Sequence, residues 1–166
     1  MSEHIVLIPK TPATHAHEGD FEWAFDEENI RATANTFYLS DWGTGEEPLW
    51  VFSGSIGEVV TDNYVGFLFM IPFLNEDPLE RMYLLEDGLQ AQYAYSIPPP
   101  PQYHTIRRHE ADEATLSVKL DPGAGTAQAT FDATFTIDGI QQSATGRFSL
   151  LRNYLASEPG RHTHAS

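Results

Sequence analysis

The chain contains no cysteine. Disulfides, thiol catalysis and thiolate metal sites are excluded together, and the composition suits a reducing, cytoplasmic location. Positive charge is scarce: nine Lys and Arg stand against 24 Asp and Glu, a formal charge of −15. Such a field repels phosphate backbones and anionic lipid surfaces, so neither nucleic acid nor a membrane is an expected partner. The charge reads as a solubility device, with steering of a cationic partner or metal as the functional alternative. Long hydrophobic runs are missing too. The longest apolar stretch, near residues 65–74, is far too short for a membrane-crossing helix. The opening MSEHIVLIPK lacks a basic segment followed by an apolar one, so no export signal is expected. No nucleophile elbow, P-loop or dinucleotide fingerprint occurs, and no complete catalytic set is visible.

What remains is apolar and aromatic material in short runs. Hydrophobic residues make up 41% of the 166, and aromatics 12%. That suffices for one core without disulfide or metal staples. The expected organisation is a single domain over residues 1–152 and a flexible tail over 153–166.

The clearest local pattern lies in residues 126–151. Ala127, Ala129, Phe131, Ala133, Phe135 and Ile137 alternate with polar neighbours, and the alternation resumes at Ile140 after Asp138-Gly139. Asp-Gly between alternating runs marks a type I′ hairpin, because that turn needs positive φ at both central residues. The implied register sets Ile137 against Ile140, Phe135 against Gln142, Ala133 against Ala144 and Phe131 against Gly146. Ala129 then meets Phe148, and Ala127 meets Leu150. The class is therefore antiparallel β with one buried face.

Other short runs read as strands: 4–8, 21–25, 30–39, 49–60, 64–73, 89–97 and 114–120. Residues 75–88 fit either a helix begun at Asp77-Pro78 or a second hairpin turning at Asp87-Gly88; the hairpin reading is preferred, with Leu84 facing Ala91 and Met82 facing Tyr93. Residues 98–112 read as a long polar loop opened by prolines. The whole is an all-β antiparallel meander of about eight to ten strands. The expected closure is a barrel of the calycin or cupin kind, with a two-sheet β-sandwich as second choice.

Chemistry is thinly signalled. His15, His17 and Glu22 stand in HxHx4E spacing, which resembles the first metal-binding motif of the cupin family. The resemblance implies a divalent metal held by these three residues within a small β-barrel; without it, no cofactor is expected and the histidines are loop residues. Pro100-Pro101-Gln102-Tyr103 resembles a PPxY ligand of WW domains, so the loop from Pro98 to Tyr103, or a sheet edge, could serve a protein partner. His104, Arg107, Arg108 and His109 form a dense basic patch suited to a carboxylate or phosphate, or to neutralising nearby acids. Residues 41–47 carry oxygen ligands but lack the calcium-loop register.

The aromatic strands carry the main functional expectation. Trp23, Trp50, Phe52, Phe67, Phe69, Tyr93, Tyr95 and Phe131 would line a barrel cavity for a small, mostly apolar molecule. The alternatives are a small-barrel enzyme, either an isomerase or cyclase or a metal-dependent oxygenase, and an interaction module. Self-association is left open by the sequence.

Overall fold

A computed structural model describes residues 3–9, 19–25, 28–40 and 47–153. Twelve strands lie among them: β1 (Glu3–Pro9), β2 (Gly19–Phe25), β3 (Glu28–Arg31), β4 (Ala34–Ser40), β5 (Leu49–Ile56), β6 (Val65–Pro72), β7 (Leu79–Leu84), β8 (Gln90–Ile97), β9 (Tyr103–Glu110), β10 (Glu113–Asp121), β11 (Thr126–Ile137) and β12 (Ile140–Leu151). The first sheet has the order β1-β9-β8-β6-β5-β4, and the second β3-β2-β12-β11-β10-β7. Every pairing is antiparallel.

The long hairpin has the register read from Asp138-Gly139. Ile137 pairs with Ile140, Phe131 with Gly146 and Ala127 with Leu150. Asp138 and Gly139 have φ of 51° and 77°, as a type I′ turn requires. A side chain at Gly139 would meet nothing within 4 Å, so its substitution tests the backbone alone. Gly139→Val should cost about 1–3 kcal/mol, and Gly139→Asn, which tolerates the left-handed region, much less. Denaturant midpoints of the two variants check this; equal midpoints would contradict the turn.

Closure differs from the barrel expectation. The ladders stop at β1 and β4 in one sheet and at β3 and β7 in the other, so the architecture is two sheets. The cause lies in connections that switch sheets. Ala32 N donates to Phe21 O in the second sheet, and the next residue, Thr33, donates its N–H to Ser55 O in the first. The single run expected over 30–39 is thereby split into β3 and β4. Ala111 and Asp112 repeat the device, donating to Ala91 O and Thr134 O.

The preferred hairpin at Asp87-Gly88 is also overturned, as is the alternative helix. β7 pairs with β10 and β8 with β6, so Met82 never faces Tyr93. Asp87 Oδ2 accepts from Leu84 N at 2.9 Å, closing a tight turn of residues 85–87. Gly88 follows with φ of 93°, and the chain crosses between sheets. The polar loop expected over 98–112 contains β9. Its buried positions are His104, Thr105 and His109, so it shows no apolar alternation.

The two inner faces meet through aromatic rings. Phe69 lies 4.5 Å from Phe131, Phe52 5.2 Å from Phe148, and Phe67 5.2 Å from Trp23, each pair spanning the two sheets. Asn153 joins the end of β12 to the free edge of β4: Phe37 N donates to its Oδ1 at 2.8 Å. Residues 154–166, the rest of the expected tail, lie outside the described residues.

Candidate functional site

Six of the eight aromatic residues expected to line a cavity are core residues. Trp23, Trp50, Phe52, Phe67, Phe69 and Phe131 are buried, and their rings pack on one another or on neighbouring rings. Tyr93 and Tyr95 are different. They sit half-buried on the last turns of the β8 pleat, both on the inner face, and line a cleft of about 500 Å³ where the space between the sheets opens to water.

The cleft is assembled by pairing. Val65 pairs with Tyr95 and Phe67 with Tyr93, so the start of β6 lies beside the end of β8. Ser96 clamps the junction: its N–H donates to Tyr64 O at 2.8 Å, and its Oγ accepts from Tyr64 N at 2.9 Å. Ile137, Asp138 and Gln142 reach the same space from the tip of the long hairpin. Asn63, Tyr64, Val65 and Ser96 complete the wall. Tyr93 connects this space to the core, with Phe25 at 4.9 Å and Phe67 at 5.0 Å. On its other side Tyr95 stacks on His109 at 5.5 Å, and its hydroxyl is hydrogen-bonded to His109 Nε2 at 3.1 Å.

Burial raises the Tyr64 pKa, partly offset by a hydrogen bond with Ser55. Burial raises that of Tyr93 as well, with the neighbouring Tyr95 adding in the same direction. The Tyr93 hydroxyl, protonated at neutral pH as phenols ordinarily are, can donate a hydrogen bond. The wall is apolar where the rings lie and polar at its rim, the usual make-up of a small-molecule site.

The remaining sequence candidates do not join this cleft as a set. His15 and His17 lie outside the described residues. Glu22 points out from β2, where its Oε1 accepts from Arg147 Nε at 2.6 Å. No cluster of metal-ligating side chains occurs among the described residues. The basic patch on β9 is divided: His104 and His109 are buried, while Arg107 and Arg108 are half-buried at successive positions and so alternate between the two faces of the sheet. His104 Nδ1 lies 2.8 Å from Asp62 Oδ1, tying β9 to the turn after β5. Tyr103, the last residue of the PPxY stretch, is exposed at the start of β9.

Sequence reasoning missed Asn63, Val65, Ser96, Ile137, Asp138 and Gln142 as cleft residues. Period-two spacing was enough to place Tyr93 and Tyr95 on one face. The others arrive only through strand pairing, which their local sequence does not encode. Among the described residues no helix is long and apolar enough to cross a membrane. Compared with known proteins, the chain matches no family model, no curated protein and no solved structure.

Proposed function

We propose that the protein binds a small amphipathic molecule in the tyrosine cleft, with an aromatic or aliphatic body against Tyr93 and Tyr95 and polar groups toward the rim. The observation that carries this reading is the place where the aromatic core opens: half-buried rings face a cleft within the usual volume range of ligand sites. The molecule is mostly apolar because Tyr93, Val65 and Ile137 supply the inner wall. An acceptor on the molecule would meet the Tyr93 hydroxyl, a donor at the cleft wall.

Titration with a neutral naphthol probe tests the proposal. Trp23 is one ring away from Tyr93, through Phe67, so its emission reports occupancy. Saturable quenching is expected. Tyr95→Ala should weaken binding about tenfold, by loss of ring contact, and Tyr95→Phe only severalfold. Absence of saturation, or an affinity indifferent to both variants, would overturn the reading.

The Tyr95–His109 hydrogen bond favours a second reading, an isomerase in which Tyr95 exchanges a proton with a bound carbonyl compound. Proton exchange of an enolisable ketone in deuterated water, lost in Tyr95→Phe, distinguishes it from binding alone.

A further inference from the structure

The long hairpin runs past its neighbours. β10 pairs with β11 only as far as Thr134, opposite Glu113. β2 pairs with β12 only from Ala144, opposite Phe25. Between those points β11 and β12 continue as a two-stranded ribbon, with Phe135 against Gln142, Thr136 against Gln141 and Ile137 against Ile140. The ribbon is pinned at its base. Asp112 N donates to Thr134 O at 2.8 Å, and Thr136 Oγ1 donates to Asp112 Oδ2 at 2.6 Å. Among the described residues no hydrogen bond joins 137–142 to anything outside the hairpin. A two-stranded ribbon without a third strand is only marginally fixed in water. A swing of the tip about Thr136 breaks no pairing with β10 or β2, since those ladders end at Thr134 and Ala144.

The inward side of the ribbon leaves the core in steps. Ala133, Ala144 and Phe135 are buried, Gln142 and Ile137 are half-buried, and Ile140 is 64% exposed. Directly opposed residues of an antiparallel pair project from the same face. Ile140 therefore shares the face of Ile137, which lines the tyrosine cleft. The first sheet and the chain just before β6 supply six of the nine residues around that cleft. The other three, Ile137, Asp138 and Gln142, all belong to the tip. One wall of the cleft is thus carried by a ribbon held only at its base. From that ribbon an uncovered isoleucine faces the opening.

We propose that residues 137–142 form a lid over the tyrosine cleft and that Ile140 closes on the bound molecule. The inference rests on the reading of the cleft as a binding site. Closure removes from water an apolar side chain that is now exposed, and extends the wall that Ile137 already forms. The lid acts on residence time, because the molecule leaves only when the ribbon lifts.

Stopped-flow binding of 2-naphthol, read by tryptophan quenching, tests the proposal. Ile140→Ser should speed dissociation about tenfold, and Ile140→Leu should stay near the parent. Ile140 is exposed in the free protein, so its replacement reads closure rather than folding. Leu151→Ser, at an exposed apolar position outside the cleft, should change nothing. Because the chain has no cysteine, spin labels attach only at introduced thiols. With labels at Val60→Cys and Gln141→Cys, both exposed positions, saturating 2-naphthol should shorten and narrow the distance distribution. Saturable binding with dissociation indifferent to Ile140→Ser, or with unmoved labels, would overturn the lid and leave the cleft reading standing. Absence of saturable quenching would overturn the cleft reading and the lid with it.

Discussion

Phe67→Ala should lower stability by about 3–5 kcal/mol, the upper range for truncating one buried side chain. Phe67 is 1% exposed at the middle of β6. Its ring touches Phe69 in its own sheet and Trp23, Phe131 and Phe135 from the other, at 5.2–6.3 Å between centroids. Phe25 and Tyr93 close the remaining sides at 5.6 and 5.0 Å. Neighbours that are themselves large rings, locked by contacts on several sides, collapse poorly into a vacated space. The transfer and cavity terms therefore add. For a domain of this size the thermal midpoint should fall by roughly 10 °C or more. The void should stay dry and accept benzene, stabilising the variant but not the parent. A loss below about 1 kcal/mol would mean that the rings repack, and that the core is looser than its ring contacts indicate.

That experiment also bears on how the sequence is read. Aromatic residues at period two were legible as one face of a strand, and Phe67, Phe69, Tyr93 and Tyr95 do share the inner faces. Whether a ring lines a cavity or fills a core depends on the facing sheet, and nothing local encodes that. The hairpin of β11 and β12 was legible to the residue because Asp138-Gly139 and the alternation agree. The sheet switches were not. Thr33 and Asp112 turn the chain from one sheet to the other through single backbone hydrogen bonds, and they look like ordinary polar residues. β9 was hidden for another reason. Its buried side chains are polar, so the pattern that betrays a strand is absent.

The same switches position the tyrosine cleft. A closed barrel would place its ligand on the axis. Here the inner space is filled by rings, and room is left at the open end beside Tyr93 and Tyr95. The cleft draws on residues from β6, β8 and the tip of the long hairpin, so it reports the packing of both sheets.

Gly54→Val should be nearly as damaging as loss of a core ring, for the opposite reason. Gly54 lies on β5 between Asn35 and Phe67, and the ring of Phe21 from the second sheet rests directly on its backbone. A Cβ there would fall inside the Phe21 ring. The ring cannot step aside. It stacks on Phe148 at 5.2 Å and 9°, and Trp23 and Phe131 hold it at 6.1 and 5.8 Å. Overpacking of this kind costs about 1–3 kcal/mol, and the branched side chain at a position locked on every side belongs at the upper end. Gly146 has the same relation to Phe131, which fills its missing side chain across the hairpin. Glycine in a strand interior is ordinarily a weak choice; here it is the space that lets an opposing ring descend to the sheet. A double-mutant cycle checks the account. Phe21→Ala alone should cost about 3–5 kcal/mol. Combined with Gly54→Val it should cost clearly less than the two single losses together, because the added methyl groups occupy part of the vacated space. Strict additivity in denaturant unfolding would show that Gly54 and Phe21 are not paired as described.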